Sequence, residues 1–257
     1  MGILNVTPDS FSDGGLYNQR DAAVRRAMQL VEEGADIIDV GGESTRPGAL
    51  PVGLQEELER VLPVIEALKG VAVSIDTFKP EVMKAGIAAG AAMINDIDAL
   101  QDRDAMKIVS GSNAAVCLMH KQGSPQTMQH QPAYRDVVPE VKRFLQARKE
   151  AALAAGIAHE RIVIDPGFGF GKTLAHNLEL LRNLEEFREL RVPILAGLSR
   201  KSMLGQITGQ DAQHRMPASV AAALIAVQRG ASILRVHDVR ATADAMKIWD
   251  AVDRGMT

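Results

Sequence analysis

The sequence predicts an α/β protein, a single (β/α)8 TIM barrel with its active site at the C-terminal ends of the strands. Three observations carry this. Short apolar runs of the kind found in buried parallel strands alternate eight times with helical stripes along 257 residues. Composition keeps one regime throughout, with no linker or low-complexity segment, so residues 1–257 are expected to form one domain. Each apolar run also ends in a polar residue suited to binding or catalysis. A doubly wound open sheet is the alternative, and it usually has fewer strands.

The first strand is expected at Met1–Val6, followed by a small polar loop from Ser10 to Gly15. Asp21 is expected to cap the first helix, whose inner face would carry Val24, Ala27, Met28 and Val31. Asp36–Val40 reads as the second strand. The Gly- and Pro-rich connection from Gly41 to Gly53 is long for a βα loop, and long loops in compact domains are often functional. Leu54, Leu58, Val61, Leu62 and Ile65 form the next stripe. Val71–Asp76 is the third strand, and the helix after it has Pro80 in its first turn and stops near Gly90. The fourth strand, Ala92–Asp96, precedes a short helix from about Asp102 to Val109.

Ala114–His120 is the fifth strand. A polar loop from Lys121 to about Pro132 and a helix from Val137 to Ala155 follow. The sixth strand, Arg161–Asp165, runs into Pro166–Lys172 and then a stripe of Leu174, Leu178, Leu181 and Leu184. The seventh strand, Pro193–Leu198, runs straight into Ser199–Arg200–Lys201–Ser202, two adjacent cations flanked by serines. Pro217–Arg229 is the seventh helix and Ser232–Val236 the eighth strand. Ala245, Ile248, Trp249 and Val252 are expected on the core face of the last helix.

Bulk properties exclude several classes. The net charge of −3 lacks the basic excess of a dedicated nucleic-acid binder. No run of about 18 apolar residues is present, so no membrane-spanning helix is expected. The N-terminus shows no basic stretch followed by an apolar one, so no export signal is read. The single Cys117 cannot form an internal disulfide and suits a reducing, cytoplasmic compartment.

The strand ends gather Asn5, Asp39, Asp76, Asn95, Asp96, His120, Asp165, Ser199 to Lys201, Arg235 and His237. Asp and Asn there can cap helices for about 1 kcal/mol each. Lys201, Arg235 and His237 cannot cap an N-terminus in that way, which favours a site. Asp76, Asn95 and Asp165 supply acceptors and one amide donor. That set suits a heterocycle bearing an amino group and a ring N–H, such as a pterin or a guanine-like edge. Arg235 can stack on a ring or fork onto a phosphate. Lys201 offers a compact charge to a ring carbonyl or nitrogen. Asn5, Thr45 and His237 can hold phosphate oxygens, and Asn5 can give one oxygen to Mg²⁺, which keeps most of its waters.

Three motifs are discounted. Gly169–Phe170–Gly171–Lys172–Thr173 resembles the end of a P-loop, but Pro166 stands where that pattern needs Gly. Phe168 and Phe170 instead suit a site wall or a loop pin. The six histidines show no metal-ligand spacing, so a zinc site is not expected. Cys117 lies within an apolar strand and is read as core.

Several longer runs are distinctive: GILNVTPDSFSDGG at Gly2 to Gly15, GESTRPG at Gly42 to Gly48, SIDT at Ser74 to Thr77, NDI at Asn95 to Ile97, DPGFGFGK at Asp165 to Lys172, SRKS at Ser199 to Ser202 and RVHD at Arg235 to Asp238. With these the chain resembles the dihydropteroate synthase family over nearly its whole length. The resemblance implies displacement of pyrophosphate from hydroxymethyl-dihydropterin pyrophosphate by p-aminobenzoate, with Mg²⁺ as cofactor on the leaving group. It implies that Asp76, Asn95, Asp165, Lys201 and Arg235 hold the pterin. Asn5, Thr45, Arg235 and His237 would hold the pyrophosphate, and Asn5 the metal. Phe11, Arg46, Pro47, Lys201 and Ser202 would frame the p-aminobenzoate pocket. Asp76, Lys201, Arg235 and His237 would carry the catalysis, and loops 10–15 and 43–48 would close over a dissociative reaction. It further implies a homodimer through the later helices and a sulfonamide target. Two rivals share the pterin contacts: a corrinoid-dependent methyltransferase and a non-catalytic pterin-binding protein. The methyltransferase does not need Thr45, His237 or the Ser199–Ser202 run. Two departures stand out: the lead-in segment usual before the first strand is expected to be missing, and Phe78 replaces a small polar residue.

Overall fold

The computed structural model describes residues 1–7, 16–44, 51–123, 127–129 and 131–253, with residues 16–19 as backbone only. Eight strands are present: β1 (Gly2–Asn5), β2 (Ile37–Gly41), β3 (Ala72–Asp76), β4 (Met93–Asp96), β5 (Ala115–Met119), β6 (Ile162–Asp165), β7 (Leu195–Ala196) and β8 (Ile233–Leu234). Strands β1 to β6 form one sheet in sequence order, and β7 pairs with β8, every pairing being parallel. Single parallel bridges, Gly2 to Val236 and Ile164 to Ile194, join the two sheets at both edges. The Ile3 N–H donates to the Val236 carbonyl and the Ile164 N–H to the Pro193 carbonyl, each at 3.0 Å. The ring is therefore closed, and the barrel prevails over the open sheet.

The helices are α1 (Leu16–Glu32), α2 (Leu54–Ala67), α3 (Pro80–Ala89), α4 (Arg103–Ser110), α5 (Val137–Ala154), α6 (Leu174–Arg182), α7 (Ser202–Thr208), α8 (Met216–Gln228) and α9 (Val239–Asp253). Side-chain caps start two of them. The Asp102 carboxylate accepts from the N–H groups of Asp104 and Ala105, and Thr173 forms a reciprocal capping box with His176.

Several sequence expectations need correction. Helix α1 starts at Leu16, so Asp21 is an exposed residue inside it and not its cap. Its buried face is Ala23, Ala27 and Leu30, one residue round from the expected stripe, and Met28 is exposed. Helix α6 stops at Arg182, and Leu184 opens a 3-10 turn. Its inward positions include Asn177, whose amide bonds to loop backbone, and this sets a rotation that leaves Leu178 exposed. In α9, Ile248 and Val252 face outward, 69% and 79% exposed, because Val239, Thr242, Ala245 and Trp249 fill the inward face. Helix α7 was not anticipated.

The barrel interior has two levels. Met1, Met93, Cys117, Val163 and Leu195 pack with Ile37, Ala115 and Ile233 as an apolar floor, separate from the larger core between strands and helices. Side chains two residues apart on a strand share a face. One such step up turns Ile37 into Asp39, Met93 into Asn95, Val163 into Asp165 and Ile233 into Arg235. The interior thus changes from apolar to ionisable within one pleat, at the C-terminal ends of the strands.

Candidate active site

One half of the polar level is built by β2, β3, β4 and the end of β8. The Arg235 guanidinium donates through Nε to Asp39 Oδ2 and through Nη2 to Asp76 Oδ2, both at 2.6 Å. Asn95 Nδ2 donates to the same Asp39 oxygen at 3.1 Å. Three buried polar atoms beside this network have no partner: Asp39 Oδ1, Ser74 Oγ and Asn95 Oδ1. Such atoms are costly, and they mark where a polar ligand edge would be bound. Burial pushes the Asp76 carboxyl up to about 7, with Asp39 adding to the rise and Arg235 opposing it. Asp39 was visible in the sequence as a strand end but was given no role. Its place one pleat above Ile37 is the signal that identifies it.

The other half is built by β6, β7 and the loops after them. Asp165 Oδ1 accepts the Gly167 N–H at 2.7 Å. Burial raises its pKa, while Lys201, the Gly167 N–H and Lys172 hold it down. Lys201 precedes α7, donates to the Phe168 carbonyl and lies 4.7 Å from the centre of the Phe170 ring. Burial lowers its ammonium to about 8, with Asp165 opposing. Of the two adjacent cations, Arg200 does not serve the site directly. It forks onto Asp238 at 3.0 and 2.5 Å, tying the loop that bears Lys201 to the loop that bears His237. Ser199 Oγ accepts the His237 N–H at 3.1 Å and sits 3.0 Å from its Nδ1.

The remaining expected residues fall as follows. Asn5 is half-buried at the end of β1, next to Gly41 in register. Ser202 is exposed at the start of α7. Phe11, Thr45, Arg46 and Pro47, with most of the two loops assigned to closure, lie outside the described residues. Asp96 belongs to the turn and not to the site: its carboxylate accepts from the Asp98 and Leu100 N–H groups at 2.8 and 2.7 Å. Phe78 stands half-buried between two ammoniums, 5.4 Å from Lys79 Nζ and 6.0 Å from Lys121 Nζ. Among the described residues no cluster of three or more His, Cys, Asp or Glu could hold a metal.

One polar level of a closed barrel thus gathers carboxylates, an amide and two cations, Arg235 beside Asp39 and Asp76 and Lys201 near Asp165. The family model described as pterin binding enzyme matches residues 1–237. The dihydropteroate synthase of Escherichia coli strain K12 is 50% identical over 254 residues, covering 98% of this chain and 90% of the relative. A solved Yersinia pestis dihydropteroate synthase, in complex with a sulfonamide drug, superposes with a TM-score of 0.93 at 50% identity, covering 99% and 94% of the two chains. The Xanthomonas albilineans enzyme in complex with 7,8-dihydropteroate gives 0.90 at 52% identity, covering 98% and 92%. The chain belongs to the dihydropteroate synthase family.

Proposed function

We infer that this barrel condenses 6-hydroxymethyl-7,8-dihydropterin pyrophosphate with p-aminobenzoate, giving 7,8-dihydropteroate and pyrophosphate in folate biosynthesis. The observation that carries this inference is the unsatisfied edge beside Asp76 and Asn95. Asn95 Oδ1 and Asp39 Oδ1 are buried without partners, one pleat above an apolar floor. A pterin's amino and ring N–H groups supply the missing donors. A site built to pair such groups rejects analogues lacking them by roughly 10⁴.

The C–O bond to pyrophosphate breaks first, its electron pair leaving with the phosphate. The methylene carbon is left cationic and in conjugation with the pterin ring. The p-aminobenzoate nitrogen then donates its pair to form the C–N bond and loses a proton. Asp76 and Asp165 face the developing positive charge, and preorganised charge of this kind is usually the largest catalytic contribution. Arg235 moves between its two carboxylates and the leaving group, which it holds with Asn5, Thr45 and His237. Lys201 lies between the pterin ring and the p-aminobenzoate pocket of Phe11, Arg46, Pro47 and Ser202. Loops 10–15 and 43–48 shut out the water that would capture the cation. Asn5 would help to hold Mg²⁺, which would supply charge neutralisation on the leaving group. A sulfonamide is expected to compete in the p-aminobenzoate pocket.

Pyrophosphate release with Mg²⁺, followed with and without p-aminobenzoate, tests this function. Release is expected to match dihydropteroate formation and to fall about 10²- to 10³-fold in Lys201→Ala. Tight pterin binding with no release under either condition overturns it.

The same inference extends to assembly and compartment. Ile207, Met216, Ile225, Ile248 and Val252 are exposed on α7, α8 and α9, and a second copy would cover them in a homodimer. Sedimentation at monomer mass would overturn this. The free, buried Cys117 suits a reducing cytoplasm, and no helix among the described residues is long and apolar enough to cross a membrane.

A further inference from the structure

Lys172 is a buried cation that the reaction above does not use. It follows the loop Pro166–Gly171 and is 3% exposed. Its Nζ lies 2.9 Å from the Gly167 carbonyl, 3.0 Å from the Phe170 carbonyl and 3.0 Å from His120 Nδ1. The His120 carbonyl is more distant, at 3.4 Å. Three N–H bonds thus meet three near acceptors. Burial pushes the Lys172 pKa well below that of an ordinary lysine, with the Asp165 carboxylate opposing the fall. A neutral amine would have only two hydrogens for three near acceptors, so the hydrogen-bond geometry favours the ammonium against that burial. With Nζ donating, His120 Nδ1 is the acceptor and the ring carries its hydrogen on Nε2. Burial holds the His120 ring down to about 3, so it stays neutral.

The clamp is one part of a larger pattern. Every carbonyl from Gly167 to Gly171 is engaged: Gly167 and Phe170 by Lys172, Phe168 by Lys201, Gly169 by Gln129, and Gly171 by Tyr134. The loop in turn points the Gly167 N–H at Asp165 Oδ1 and the Phe168 carbonyl at Lys201 Nζ. Two groups assigned to the pterin therefore take their positions from one short backbone segment, and Lys172 grips that segment at two points. His120 supplies the fixed wall, since its backbone N–H donates to the Asp165 carbonyl at 3.0 Å.

We propose that Lys172 is a positioning residue for the pterin site, its ammonium clamping the Gly167–Gly171 loop against His120 so that Asp165 and Lys201 stay aimed at the ring. This rests on the synthase function inferred above. Lys172 itself touches no substrate in this account. Its removal is therefore expected to act chiefly on the pterin substrate, through both Asp165 and Lys201, and less on p-aminobenzoate, through Lys201 alone.

The experiment is steady-state kinetics on Lys172→Met and Lys172→Gln, with both substrates varied and the melting temperature recorded. Lys172→Met is expected to raise the KM for the pterin pyrophosphate about tenfold, equivalent to about 1.4 kcal/mol. The KM for p-aminobenzoate should rise clearly less, since of the two aimed groups only Lys201 serves that pocket. Lys172→Gln keeps two N–H bonds but loses the charge, and should fall between Met and wild type. Equal changes in both KM values, or a lower melting temperature with neither KM changed, would reduce Lys172 to a structural role. Should Lys172→Met not fold, a wild-type pterin KM in Lys172→Gln overturns the proposal by itself. If the wild type releases no pyrophosphate, the synthase function fails instead. Calorimetric binding of 6-hydroxymethylpterin to wild type and Lys172→Gln then still decides the clamp, with equal affinities overturning it.

Discussion

The two sides of the barrel's polar level solve opposite problems. Around Asp165 and Lys201 every loop carbonyl from Gly167 to Gly171 already has a donor. Around Asp39, Asp76 and Asn95 three buried polar atoms have none, and one guanidinium spans two carboxylates. The first side has its loop carbonyls paired within the protein. The second keeps open acceptors, which on the proposed function the N–H groups of a pterin would fill.

The largest expected effect is on the side with open acceptors. Asp39→Asn leaves Arg235 short of one charge in a dry interior, a loss of about 3 kcal/mol in unfolding free energy. Chemical denaturation with an unchanged slope measures it. A stability within error of wild type would show that Asp39 does not hold Arg235.

A smaller effect lies in the pH dependence of kcat/KM. Asp76 must be ionised, so the rate should rise as pH climbs through about 7. Lys201 must be protonated, so the rate should fall as pH passes about 8. Because the Asp39 charge raises the Asp76 pKa, the acid limb should move to lower pH in Asp39→Asn, with the alkaline limb nearly fixed. Movement of both limbs together would merge the two sides into one electrostatic unit.

The smallest effect is expected on the side with paired carbonyls. Tyr134→Phe frees the Gly171 carbonyl, bonded at 2.8 Å, and leaves the other four loop carbonyls held. A stability loss of about 1 kcal/mol is expected. The pterin KM should change by no more than about twofold. A tenfold rise would show that the loop is less secured than its bonding pattern indicates.

The strands and their polar ends were legible because a continuous apolar run that stops at a polar residue is a local property of the chain. Asp76, Asn95, Asp165, Lys201 and Arg235 were named from that position alone, and the fold brings them to one level. Which polar ends belong together was not legible: Asp39 and Asp96 read alike, yet one joins the Arg235 network and the other braces a turn. Asp39 shares the interior face with Ile37, whereas Asp96 follows the inward-facing Asn95 and so points to the other side of the sheet. Lys172 ends the DPGFGFGK run, yet the run by itself assigns it no role, and the P-loop pattern that would is spoiled by Pro166. One of its acceptors is His120, 52 residues away in sequence, and that pairing is not encoded in a linear motif. Ile248 and Val252 were misplaced because apolar spacing locates a stripe without saying what covers it.

Gly167 and Gly171 adopt φ of +71° and +63°, and a Cβ added there would meet the His120 carbonyl at 1.8 Å and the Gln122 carbonyl at 2.3 Å. Neither obstacle is a flexible side chain that can step aside. In evolutionary terms these two codons are locked: a side chain at either glycine would push the loop off His120 or Gln122 and carry with it the backbone that seats Asp165 and Lys201.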